Sequence, residues 1–136
     1  RMVAEPGTEQ YGALSVWLQS QCHVKLLRRL KPTVFWPRPQ VNSAIVRIVP
    51  DAAARDAIAD RSFFQDFLRR LFQRRRELMR SVLVSMYRKQ LGKSEIDALL
   101  DEADLGAQPR AEQLDPDTLR RLANRMYNAL HATNDE

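Results

Sequence analysis

The sequence concentrates one kind of chemistry in a single stretch, Phe63–Met86, where arginines are spaced through an apolar repeat. From Arg69 to Lys93 there are nine Lys or Arg and one acid, Glu77. Guanidinium groups in a row suit a phosphate backbone, because each offers a planar fork of donors to anionic oxygens. Arg69, Arg76 and Arg80 fall at i, i+7 and i+11, so on one helix they share a face, with Arg70 and Arg74 on its flank. The alternative is a solvated face laced by intrahelical ion pairs. With Glu77 the one acid nearby, nucleic-acid contact is the preferred reading. Arg75 breaks the pattern by projecting into the apolar stripe of Phe64, Phe67, Leu71, Leu78, Val82 and Met86.

A second constellation is Phe35-Trp36-Pro37-Arg38-Pro39. Aromatic rings held out by prolines can stack on an unpaired base. Read from these residues alone, the favoured alternative is that both rings plug a core beneath the loop. Other chemistries fail. His23 and His131 are the two histidines, and neither has a ligand partner at a helical interval. No glycine-rich phosphate loop is present. Ser43 beside Asn42 reads as a strand-entry hydrogen bond rather than a nucleophile. No complete catalytic centre emerges.

The elements that must carry these residues are mostly helical. Arg1–Glu5 reads as the tail of a helix stopped by Pro6-Gly7, and Thr8 as a cap for the next helix, Tyr11–Cys22. His23–Leu30 and Ser43–Val49 alternate like strands, and one proline-rich extended loop, Lys31–Val41, joins them as an antiparallel pair. Pro50–Asp60 is a partly helical link. Phe63–Met86, free of Pro and Gly, is expected to form one helix of more than six turns. Ser94 is expected to cap a helix over Glu95–Ala103, with Asp97 completing a capping box and Gly106 ending it. Gln108–Leu114 is a loop. Asp115-Pro116 opens the last helix, with Leu114 and Leu119 spaced as a hydrophobic staple. The fold class is mainly α: a small helical bundle plus two antiparallel strands. A two-stranded unit is not stable alone, so the first fifty residues must pack on the bundle, on a further sheet or on another copy.

Composition bounds the rest. A hydrophobic fraction of 44% suits a globular chain, and a net charge of +5 favours an anionic partner. One cysteine, Cys22, excludes an internal disulfide and is compatible with a reducing, cytoplasmic setting. No apolar run approaches the roughly 20 residues of a membrane span, so no membrane partner is expected. The chain starts at Arg1 rather than Met, which suggests a fragment.

Three ordered motifs now add up. The segment FWPRPQVNSAIVRI, preceded by YGALSVWLQ, resembles the end of the catalytic domain of ribosomal RNA adenine dimethyltransferases, which carry a Phe-x-Pro-x-Pro-x-Val-x-Ser-Ala stretch. FLRRLFQRRRELMRSVL is similar to that family's helix with an Arg-Arg-Lys-x-Leu core, here Arg74, Arg75, Arg76, Glu77 and Leu78. PRAEQLDPDTLRRLANRM is similar to its closing Arg-x-Glu-x-Leu segment, here Arg110, Glu112 and Leu114. The bacterial enzymes that modify two adjacent adenines near the end of small-subunit rRNA are the branch it most resembles. The antibiotic-resistance methylases of large-subunit rRNA are similar in the first half and less so in the second.

The resemblance implies a two-domain, S-adenosylmethionine-dependent parent enzyme, cytoplasmic and monomeric, that dimethylates adenine amines in the small ribosomal subunit. Residues 1–50 would be the carboxy-terminal edge of its Rossmann-like catalytic domain, holding the last two strands and a helix of a truncated sheet. Residues 51–136 would be a helical rRNA-docking domain. The family's glycine-rich cofactor loop and its Asn-Leu-Pro-Tyr type motif are absent. The chain alone is therefore expected to bind no cofactor and to transfer no methyl group, and its exposed strand edges to favour self-association. Phe35, Trp36, Pro37 and Pro39 would form the loop near the target base. Arg69, Arg70, Arg74, Arg76 and Arg80 would contact rRNA, and Arg75 would turn inward to pair with Glu112 or a backbone carbonyl. The competing reading is a non-catalytic basic helical module that binds nucleic acid or protein.

Overall fold

The computed structural model describes residues 1–106 and 109–134. Six helices and two strands run in the order α1 (Ala13–Gln19), β1 (Cys22–Leu30), β2 (Ser43–Pro50), α2 (Ala52–Asp56), α3 (Arg61–Phe72), α4 (Met79–Met86), α5 (Lys93–Glu102) and α6 (Pro116–Asn134). Short 3-10 turns lie at Pro32–Val34 and Ala111–Gln113. The first of them interrupts the expected extended loop between the strands.

β1 and β2 pair antiparallel, as the alternation predicts, with Lys25 opposite Arg47 and Val24 opposite Ile48. The register slips between Leu26 and Arg28: Leu26 faces Val46, but Arg28 faces Ile45. Leu27 is thus the extra residue of a β-bulge.

Local chemistry explains most helix starts. Asp51 Oδ1 accepts from Ala54 N at 3.1 Å and Asp60 Oδ1 from Phe63 N at 2.8 Å, starting α2 and α3. Asp115 Oδ1 accepts from Thr118 N at 2.7 Å beneath α6, as expected of Asp-Pro. Several expected ends move. Arg1–Glu5 is not helical, and the Thr8 hydroxyl donates to the Glu5 carbonyl at 2.7 Å instead of capping a helix. Helix α5 starts after Gly92, whose N–H donates to Glu95 Oε1 at 3.5 Å; Ser94 lies inside it, and Asp97 is engaged elsewhere. The same helix stops at Asp104 rather than Gly106. Asp104 has φ 60, and the Leu105 and Asp104 N–H groups close back on the Leu100 and Asp101 carbonyls at 2.8 and 3.0 Å. That is a Schellman stop with aspartate in the left-handed position. Gln108, where the next loop was expected to begin, lies outside the described residues.

The largest departure is in Phe63–Met86. It is not one helix: α3 ends at Phe72, a turn covers residues 73–78, and α4 begins at Met79. The cause is tertiary. Met79 N donates to the Pro109 carbonyl at 2.9 Å, and Leu78 forms a β-bridge with Arg110. Backbone partners thirty residues away replace those of a continuing helix.

One core unites the chain. Phe64, Phe67, Leu68 and Leu71 of α3 pack with Met79 and Leu83 of α4, Ile96 of α5, and Leu119, Leu122 and Met126 of α6. Tyr11 and Val16 join the same cluster from the first fifty residues. Trp17 meets Phe64 and Tyr11 meets Phe72, both with ring centroids 5.9 Å apart. The first fifty residues thus pack on the bundle through α1, while most of the hairpin stays exposed.

Candidate nucleic-acid interface

The arginines of α3 to α4 find more carboxylates than the sequence suggests. Arg69 Nη2 reaches Asp66 Oδ1 at 2.7 Å, and Arg70 Nη1 lies 3.6 Å from Asp66 Oδ2. Arg70 also donates to the Met86 carbonyl at 3.1 Å, with its guanidinium carbon 5.5 Å from the Tyr87 ring centroid. Burial pushes the Tyr87 phenol up to about 12. Arg74 Nε donates to Glu77 Oε2 at 3.0 Å. Arg80 grips Asp97 of α5 with two parallel bonds, 2.5 and 3.2 Å. These donated bonds hold the Glu77 and Asp97 carboxyls below their usual range. Because the helix breaks, Arg69, Arg76 and Arg80 do not form one continuous row. Arg76, exposed in the turn, has no ion-pair partner among the described residues.

Arg75 also sits in that turn, not on a helical stripe. It is partly buried and reaches inward, as expected: Nε donates to Glu112 Oε2 at 3.3 Å and Nη2 to the Thr8 carbonyl at 3.2 Å. Gly7, at φ 83, donates its N–H to the Glu112 carbonyl at 2.7 Å. The Tyr11 hydroxyl donates to the Leu114 carbonyl at 2.6 Å. Three segments distant in sequence are knotted here.

The strand-connecting loop overturns the reading of its rings as core plugs. Trp36 is 95% exposed and Phe35 39%. Pro37 is exposed and Pro39 half-buried. Beside the loop, an open groove of about 1040 Å³ runs between residues 1–10 and the hairpin. Its one carboxylate is Glu5, set among Arg1, Arg29 and Lys31. No group of three or more His, Cys, Asp or Glu positioned for a metal occurs among the described residues.

The family model for ribosomal RNA adenine dimethylase matches residues 1–121. The chain belongs to the ribosomal RNA adenine dimethylase family. Among curated relatives of this chain, the ribosomal RNA small subunit methyltransferase A of Xanthomonas campestris pv. campestris (strain B100) is 40% identical over 124 residues, covering 91% of this chain and 44% of that protein. The protein of the same name from Halothermothrix orenii is 33% identical over 127 residues, 93% of this chain and 42% of its own. The chain thus spans less than half the length of these relatives. A dimethyladenosine transferase from Plasmodium falciparum shares the fold, with a TM-score of 0.81 at 19% identity over 96% of this chain and 54% of its own. The 23S rRNA methyltransferase ErmE follows at a TM-score of 0.52 and 18% identity, over 86% of this chain and 46% of its own. No described helix of the chain is long and apolar enough to cross a membrane.

Sequence reasoning missed one set of cations in this chain. The register puts Lys25 opposite Arg47 and Arg28 opposite Ile45, and Ile45 and Arg47 share a sheet face. Lys25, Arg28 and Arg47 therefore stand on one face, all exposed and none with a carboxylate partner among the described residues. Strict alternation would have put Arg28 on the opposite face. The bulge at Leu27 is what joins it to Lys25, and no turn residue announces it.

Proposed function

We propose that the chain is the carboxy-terminal part of an S-adenosylmethionine-dependent rRNA adenine dimethyltransferase. The parent would dimethylate adjacent adenines in small-subunit rRNA during ribosome biogenesis, as a cytoplasmic monomer. The observation that carries this is the 40% identity, over 91% of the chain, to a protein named for methylating small-subunit rRNA. The pairing of β1 with β2, packed through α1, fits residues 1–50 as the edge of a Rossmann-like sheet, and residues 51–136 as a helical docking domain. Phe35, Trp36, Pro37 and Pro39 would form the loop near the target base, a reading supported by the exposure of Trp36 and Phe35.

This part's own contribution is rRNA docking, and the cofactor belongs to the remainder of the parent. Arg69, Arg70, Arg74, Arg76 and Arg80 are its docking residues on α3, the turn and α4. Their carboxylate pairs do not disqualify them. Exposed ion pairs are worth about 0–1 kcal/mol, so a phosphate can compete for the same guanidinium. Arg76 has no such competitor among the described residues.

The test is binding of the chain to purified small ribosomal subunits across a salt series. Changing Arg69, Arg76 and Arg80 to Gln should weaken binding and flatten its salt dependence. Unchanged affinity and slope would remove these residues from the docking surface. Methyl transfer by the chain alone, with S-adenosylmethionine supplied, would overturn its assignment as a docking part.

A further inference from the structure

The hairpin gathers positive charge left without acids on one sheet face. Across α3, the turn and α4, four of the five proposed docking arginines already face a carboxylate. On the hairpin, Lys25, Arg28 and Arg47 have none, and Lys25 and Arg47 are direct cross-strand neighbours. Like charges directly opposite on a sheet repel. Folding has brought them together, and the bulge at Leu27 adds Arg28 to the same side. The row runs toward the strand end from which the Pro32–Val34 turn and the exposed Trp36 emerge.

We infer that Lys25, Arg28 and Arg47 form a track for the sugar-phosphate backbone of single-stranded RNA, with Trp36 as a stacking platform for one unpaired base. The combination selects this partner. A charged groove beside an exposed aromatic is how proteins hold unpaired strands, since the cations follow the phosphates and the ring takes any base. A duplex presents phosphates but no free base faces, so Trp36 would gain nothing from it. An anion between Lys25 and Arg47 also relieves their repulsion, which makes the site complementary to a bound phosphate rather than to water. The inference deepens the RNA-docking reading and rests on it, but locates a surface separate from the arginines of α3 and α4.

The test uses the chain with a fluorescent twelve-nucleotide polyuridine RNA, titrated from low to high salt. Changing Lys25, Arg28 and Arg47 to Gln should lower affinity roughly tenfold or more at low salt. It should also reduce the salt slope by about two, given about 0.7 per phosphate contact on single strands. The thermal midpoint of that variant should equal or exceed the parent's, because the Lys25–Arg47 repulsion is gone. In a Trp17→Phe background, the remaining Trp36 fluorescence should be quenched by RNA. Trp36→Ala should weaken single-stranded RNA while leaving duplex RNA unchanged. If the chain binds this RNA but the triple variant binds equally well with the same slope, the track is wrong and the docking reading stands. If the chain binds no RNA, both fall. A duplex bound more tightly than the single strand would overturn the choice of partner. So would a triple variant that loses only binding to phosphatidylserine vesicles.

Discussion

Arg75 Nε lies 3.3 Å from Glu112 Oε2, and its other arm holds the Thr8 carbonyl at 3.2 Å. The pair is three-quarters buried, with side chains 26% and 22% exposed. A partly buried charge must keep its partner, because losing it strands the other group away from water. Arg75→Ala should cost about 1–3 kcal/mol, and Glu112→Gln somewhat less. A double-mutant cycle by urea melts should return a coupling above about 0.5 kcal/mol. Strict additivity would mean that the pair contributes nothing.

Tyr11 is fully buried, and its hydroxyl donates to the Leu114 carbonyl at 2.6 Å. Tyr11→Phe should cost about 1–2 kcal/mol, since the carbonyl loses its donor. Burial, and then the nearby Asp115 charge, raise the Tyr11 phenol far above its ordinary value; burial lifts Tyr87 to about 12. A raised phenol keeps its proton in the folded state after the unfolded chain has lost it. Stability is therefore intact below about pH 10 and falls above it. Denaturant melts from pH 9 to 11.5 should show this fall, and Tyr11→Phe should make it shallower.

The Arg80–Asp97 pair ties α4 to α5. Arg80's hydrogen bond is the first cause of the depressed Asp97 carboxyl. A depressed carboxyl stabilises the fold above its unfolded value, near 3.9, and loses that contribution as pH falls through the folded value. Arg80→Gln should therefore be less stable than the parent at pH 6. The gap should close as the pH drops below about 4, as measured by thermal melts. A gap constant across that window would show that the pair is not the cause.

The break between α3 and α4 is testable directly. Amide hydrogens of residues 73–78 should exchange faster than those of Phe67–Phe72, and their Cα chemical shifts should not be helical. The Met79 amide, held by the Pro109 carbonyl at 2.9 Å, should be protected. A continuous run of helical shifts through Arg76 would contradict the break.

Asp104 occupies φ 60, a region that costs an L-residue about 1–2 kcal/mol. Asp104→Gly should stabilise the chain by about 0.5–1 kcal/mol, the glycine's larger entropy loss offsetting part of the gain. The readout is a rise of a few degrees in the thermal midpoint.

Much of this was legible in the sequence, because much of it is local. The two strands announce themselves by alternation, and Asp115-Pro116 starts α6 through its own side chain. Arg75 was legible as an anomaly in a stripe, and its partner Glu112 followed from the family resemblance. The helix break was not legible. Residues 73–78 keep a helical rhythm without Pro or Gly, and only bonds to Pro109 and Arg110 interrupt it. The carboxylates facing the arginines were partly hidden for the same reason. Asp97 lies 17 residues from Arg80 in sequence, and Asp66 precedes the counted stretch. From the residues alone the rings of Phe35 and Trp36 read as core plugs, because nothing in a proline-rich loop says which way its rings point, and Trp36 is instead exposed.

The knot at Arg75 also bears on how the chain is made. Its partners lie 67 residues before it and 37 after it, and Tyr11 waits 103 residues for Leu114. A chain emerging from its amino end cannot close the Arg75–Glu112 and Tyr11–Leu114 contacts until residues 112–114 have left the ribosome. Until then Tyr11 and the apolar side of α3 lack their final cover, and the hairpin's edges are open to other strands. The step that completes this fold is thus late, and those surfaces stay uncovered until it is made.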